Sequence, residues 1–179
     1  MRALSSLVLS LLVFAAPAAA QQVPTQAAVT RALSGFEEQP DAATVRGWTP
    51  GVIPVLAAVI DDVDAVVAVR ARAAYALRAF GAEPGARAIL QRVAADEGAN
   101  VFIRRAAIDA LIDGADAVSA VTPLLTALDP DVRAGAVLAL ARSRQVSLAR
   151  AALDVRVRVE RDASVRAHIA ETLRRMPAR

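Results

Sequence analysis

A chain of 179 residues holds one domain of ordinary size or one short array of repeats. Its composition is 56% hydrophobic but only 3% aromatic, and its formal charge of +3 rests on 21 basic residues, all of them Arg. With no Cys, no Lys and a single His, His168, it cannot build a disulfide, a Cys nucleophile, a Lys Schiff base or a site with two His ligands.

Residues 1–20 read as a secretory signal peptide. Arg2 opens it, Leu4 to Phe14 form an apolar stretch broken only by Ser5, Ser6 and Ser10, and Ala18-Ala19-Ala20 after Pro17 supplies a small-residue cleavage site. Cleavage after Ala20 leaves a mature N-terminus at Gln21. The apolar run is shorter than the roughly 20 residues of a spanning helix. The expectation is therefore a periplasmic or secreted protein with no membrane span after cleavage, and the absence of Cys suits an oxidising compartment.

Residues 21–49 are expected to form an irregular N-terminal cap, as the ends of repeat arrays require. Thr25 to Leu33 can be a short helix with Ala28, Val29 and Leu33 on one face. Gly35 to Pro40 breaks it, Asp41 can cap a further turn through Val45, and Phe36 and Trp48 are expected to plug the core.

From residue 50 onward one pattern recurs four times: Val69-Arg70 to Leu77, Ile103-Arg104 to Leu111, Val132-Arg133 to Leu140 and Val165-Arg166 to Leu173. The repeated Arg falls at 70, 104, 133 and 166. Apolar residues stand one before, three after and seven after it in every copy, which is one face of an α-helix. A second apolar helical stretch precedes each copy: Gly51 to Ile60, about Pro84 to Ala95, Ala117 to Leu128 and about Gln145 to Arg161. Breakers at Gly81, Pro84, Gly98, Gly114 and Pro130 separate the stretches. Asn100, Asp129 and Asp162 stand four residues before the Arg in the last three copies and are N-cap residue types. In the first copy that place is taken by Val66, with Asp61, Asp62 and Asp64 just upstream. Val155 to Val159 alternates with period two, as a strand would, but its helical neighbours favour helix.

This helix-turn-helix pattern resembles the HEAT repeat of the bilin-lyase-like type, over about residues 50–175. Leu124-Leu125, Asp129, Val132-Arg133, Ala136 and Ala139-Leu140 carry the resemblance. It implies an all-α superhelical solenoid of about four repeats, occupying residues 50–179. It also implies a structural ladder between repeats, in which Arg70, Arg104, Arg133 and Arg166 are joined with Asn100, Asp129 and Asp162. Among proteins with this repeat, deoxyhypusine hydroxylases need paired His-Glu motifs that one His cannot supply, and bilin lyases handle tetrapyrroles, to which nothing residue-specific ties this chain. HEAT-like DNA glycosylases use basic, aromatic-lined grooves, which few aromatics and a mature charge of +2 do not match.

No phosphate-cradling glycine loop is present. His168 and Glu171 share a helix face but are a weak metal pair. The expectation is no catalytic residue, no cofactor, no metal, no nucleic acid and no enzyme. Binding is expected on the concave side, where second helices present columns two and five residues after the repeated Arg: Arg72 and His168 in the first, and Tyr75, Asp109, Leu138 and Glu171 in the second. The expected function is a non-catalytic scaffold or protein-protein interaction module whose partner is another protein of the bacterial envelope. The alternatives are a lyase-like or hydroxylase-like enzyme, and a binder of anionic envelope polymers. The latter would use the basic end, where residues 131–179 carry 11 Arg against 5 acids, through Arg142, Arg144, Arg150, Arg156 and Arg158.

Overall fold

The computed structural model describes residues 23–35, 40–112, 114 and 116–177. The expected signal peptide and Phe36 lie outside the described residues. All regular structure within them is helical. Helices α1 (Gln26–Ser34) and α2 (Ala42–Gly47) form the cap, and α3 (Ile53–Asp61) with α4 (Val67–Ala76) makes the first repeat. The second repeat is α5 (Pro84–Ala95) with α6 (Val101–Leu111), the third α7 (Ala117–Val121) with α8 (Pro130–Ala141), and the fourth α9 (Val146–Val157) with α10 (Ala163–Arg175).

The second helices form the spine: α4 packs on α6, α6 on α8 and α8 on α10. Their buried stripes are the repeated apolar positions. Val69, Ala73 and Leu77 are buried, as are Ile103, Ala107 and Leu111, then Val132, Ala136 and Leu140, and finally Val165 and Ile169. Ala at most middle positions lets the helices approach closely, and the packed stripe supplies stability that short helices lack alone. The first helices bury Leu56, Val59 and Ile60, then Leu90 and Val93, Val121, Leu124 and Leu125, and Leu153. In the third repeat Pro123 cannot donate to the ladder, so α7 stops at Val121 and a 3-10 turn runs through Thr122–Thr126. Leu128, expected within that helix, is instead left exposed in the turn. The strand-like alternation at Val155 is helical through Val157.

Helix starts follow local side-chain chemistry. Oδ1 of Asn100 accepts from Phe102 N–H, Asp129 from Asp131 N–H and Asp162 from Val165 N–H. Asp41 and Thr25 cap α2 and α1 in the same way. α4 starts at Val67, and Val66 at its N-cap position offers no side-chain cap. The upstream acids serve elsewhere: Asp62 accepts from Asp64 N–H, and Asp61 pairs with Arg92 of the next repeat at 2.9 Å. In the cap, Val29 and Leu33 are buried and Trp48 packs against the core, but Ala28 is exposed.

Helix ends are closed by guanidinium groups. Arg70 donates to Ile60 O at 2.7 Å, Arg104 to Ala94 O at 3.2 Å, Arg133 to Ala127 O and Leu128 O at 2.9 and 2.8 Å, and Arg166 to Glu160 O at 3.4 Å. Each repeated Arg thus reaches back within its own repeat, Arg70 and Arg104 to the last turn of the first helix and Arg133 and Arg166 to the turn that follows it, where carbonyls have no intrahelical partner. This corrects the expected ladder: Arg104, Arg133 and Arg166 form no ion pair with Asp129 or Asp162, and no bond with Asn100, among the described residues. The turn acids are spent on their own helix starts.

Ion pairs do join successive repeats, through other residues. Asp61 meets Arg92, Arg87 meets Asp116 at 2.9 Å, Asp109 meets Arg142, and Arg133 meets Glu160. The last is the buried one. Glu160 is 4% exposed and receives both Nε and Nη2 of Arg133 at 3.1 Å, Arg156 at 2.6 Å and the Asp162 N–H at 2.9 Å. Burial alone would raise its pKa. The Asp162 N–H and the guanidiniums of Arg156 and Arg133 more than offset that and hold the carboxyl at about 2, against an ordinary value of 4.5.

A depressed carboxylate pKa gives stability that is fully present above pH 4.5 and is lost as pH falls toward 2. The difference corresponds to about 3 kcal/mol. Urea unfolding at pH 7 should show Glu160→Gln destabilised by about 3 kcal/mol, because two largely buried guanidiniums lose their counter-charge. The variant should also lose less stability than the parent between pH 4.5 and pH 3. Gly135, buried in α8, gives the opposite sign. The nearest atoms a Cβ there would meet are Arg105 Cγ at 3.4 Å, Ile108 Cδ1 at 3.8 Å and Arg105 Nε at 3.9 Å. Gly135→Ala should raise stability by roughly 0.5–1 kcal/mol in the same assay.

Candidate functional site

The second helices present one open face, and the column five residues after the repeated Arg lies on it. Tyr75 and Leu138 are 47% and 45% exposed, while Asp109 and Glu171 are half-buried. The two carboxylates are occupied. Asp109 is paired with Arg142, and Glu171 with both Arg174 and Arg175, whose guanidiniums lower its pKa. The column therefore alternates apolar anchor, neutralised acid, apolar anchor, neutralised acid along α4, α6, α8 and α10.

The column two residues after the Arg is not an open row. Arg72 is half-buried and donates to Leu33 O at 2.7 Å and Gly35 O at 3.1 Å, closing the carbonyl end of α1. It thereby ties the cap to the first repeat. Gly135 in this column is buried under Arg105. His168 is exposed on α10 and has no bonding partner among the described residues. Those residues contain no group of three metal-ligating side chains.

A feature absent from the sequence reading lies where the cap meets the first repeat. α1 packs on α3 and α4, and α2 packs on the 3-10 turn Leu77–Phe80 that follows α4. Between them a cleft of about 490 Å³ opens over the C-terminal half of α4. Leu33, Val45, Ala76 and Ala79 form its apolar surface, and Asp41, Arg46, Arg72, Tyr75 and Arg78 supply its polar groups. The Arg78 guanidinium lies 5.5 Å from the centre of the Tyr75 ring and donates to its hydroxyl. Asp41 holds the Thr44 N–H at 2.7 Å, which lowers its pKa and keeps it a cap. Tyr75 thus belongs both to the exposed column and to the cleft wall. The only sequence signal for the cleft was the mismatch between an irregular cap and regular repeats.

The basic end is less available than its count of Arg implies. Arg142 is paired with Asp109, Arg156 with Glu160, and Arg150 donates to Leu173 O and Met176 O at the end of α10. Arg144 and Arg158 are exposed and make no ion pair among the described residues.

No family model matches the chain, and no curated protein matches it. A solved structure does: the complex of CpcE and CpcF of phycocyanin lyase from Nostoc sp. PCC7120, at 19% identity and a TM-score of 0.54. The match covers 82% of this chain and 98% of that one. It overturns the expectation that the chain is not an enzyme, since the fold is one that a lyase uses. Four helix-turn-helix repeats, stacked through their second helices and matched to that structure over most of their length, give this chain a HEAT-like solenoid fold.

Proposed function

We propose that the chain is a protein-binding solenoid that holds a partner across the open face of its second helices, with Tyr75 and Leu138 as anchors and the cleft beside Tyr75 as the deepest contact. The observation that carries this reading is the pair of large apolar side chains left near half-exposed at equivalent places on α4 and α8. Between them, Asp109 is neutralised by Arg142, so the face is apolar with balanced charge. Such a face suits contact by shape, with a few buried anchors carrying the energy. The similar solved structure is itself a complex of two proteins, which supports a protein as the ligand. The polymer-binding alternative loses three of its five Arg to bonds within the fold.

We place the partner in the bacterial envelope, on the export signal read from residues 1–20. No helix of the described residues is long and apolar enough to cross a membrane.

Two measurements test the proposal. Envelope proteins captured by the parent chain should be compared with those captured by Tyr75→Ala and Leu138→Ala. A partner retained by the parent should be weakened about tenfold by each change. Both variants should melt within a few degrees of the parent, because neither side chain is in the core. A partner held equally by all three chains rules out this face. Expression of the whole sequence in a Gram-negative host should give a periplasmic product whose mass begins at Gln21. An unprocessed chain in the cytoplasm would remove the envelope from the proposal.

A further inference from the structure

The turn inside each repeat carries exposed apolar side chains that neither the fold nor the proposed binding face uses. Val63 and Val66 lie between α3 and α4, Phe102 is the second residue of α6, Leu128 precedes α8, and Val159 lies between α9 and α10. Phe102 is 63% and Leu128 79% exposed. Stacked repeats place these turns along one edge of the solenoid. Seven residues separate Phe102 from Asp109 of the binding column, about 10 Å along the helix, so the edge and the column occupy opposite ends of the second helices.

Charge along this edge changes sign from one end to the other. The first turn carries Asp62 and Asp64. The fourth carries Arg158 and Arg161, exposed and without an ion pair among the described residues, around a Glu160 already neutralised from inside and beside Asp162, the cap of α10. An apolar edge that is acidic at its start and basic at its end is complementary to itself when turned end for end. We propose that two copies of the chain meet along this edge, antiparallel about a two-fold axis. The first-repeat turn of one copy lies on the fourth-repeat turn of the other, with Phe102 against Leu128 near the axis. In such an isologous contact every favourable pair occurs twice. Asp96, Glu97, Asp129 and Asp131 of the middle turns are brought toward one another and oppose it, so the contact rests on the outer ion pairs and the apolar centre.

Sedimentation equilibrium of the whole processed chain, over a concentration series reaching the high micromolar range, reads this directly. A monomer-dimer equilibrium is expected. Phe102→Ser should weaken it about tenfold or more. Asp64→Arg alone should weaken it, as should the double change Arg158→Glu with Arg161→Glu, whereas an equimolar mixture of those two variants should associate again. Glu97→Gln should tighten the dimer. All these side chains are exposed, so melting temperatures should stay within a few degrees of the parent and separate lost association from lost folding. A chain monomeric throughout the series overturns the proposal. So does a dimer indifferent to these changes, or a variant mixture that stays monomeric.

Discussion

The carbonyl ends of the first helices are the constraint around which this chain is organised. A helix of nine to twelve residues leaves four carbonyls without an intrahelical partner, so a large share of its backbone acceptors must be satisfied from elsewhere. In a stacked array those ends are half-buried, and an unpaired buried carbonyl is costly. The chain solves this with guanidinium groups. Arg70 and Arg104 return to the last turn of the first helix in their own repeat, Arg133 and Arg166 to the turn just after it, Arg72 closes α1 and Arg150 closes α10. The helix dipole adds to the attraction, since these ends carry partial negative charge. Arg suits the task better than Lys. Its planar fork has five donors, which lets Arg133 bond two carbonyls and a carboxylate at once. With Arg87, which donates to Gly81 O, seven Arg among the described residues thus have a backbone reason.

Once the guanidinium fixes the angle between the two helices of a repeat, the spine can be built from small residues. Ala73, Ala107 and Ala136 are fully buried between neighbouring second helices, and Gly135 lets Arg105 lie flat across α8. Little apolar area is buried per residue in such a contact, so it contributes less than a core of large side chains would. Ion pairs between repeats, separated by 27 to 33 residues in sequence, add a second connection at the surface. Only Arg133 with Glu160 is deeply buried. Its partners saturate the carboxylate with one backbone N–H and two guanidiniums, the condition under which a buried charge is tolerated.

The helices and their starts were legible in the sequence because both depend on neighbours within one or two turns. A period of 3.6 residues and an Asn or Asp two or three positions ahead of its N–H partner leave local marks. The ends were not legible. Arg104 bonds a carbonyl ten residues back, and that reach depends on the crossing angle of two helices, which no local pattern encodes. The expected ladder erred for the same reason: it assigned Asp129 and Asp162 to neighbouring Arg side chains when their own backbones were nearer. Tyr75 and Leu138 were placed on the open face by phase alone. The cleft was not, because it exists only where α2, six residues long, is too short to cover α4 as a full repeat would.

That shortness links fold to function. A repeat inside the array has both sides covered, so its second helix offers only the face turned away from the first helices. The first repeat is different. α1 packs on α3 and α4, Arg72 pins the end of α1, and α2 sits beyond on the turn after α4. The gap between them is lined by Ala76 of α4 and Ala79 of the turn that follows it, while Tyr75 remains on the open face. One helix therefore contributes to two surfaces that meet at a single aromatic ring. Burial of a partner group in the cleft and contact along the column would both draw on Tyr75, whereas Leu138, three helices along the spine from the cap, can contribute only to the second. A difference between the two anchors is thus built into the way the array begins.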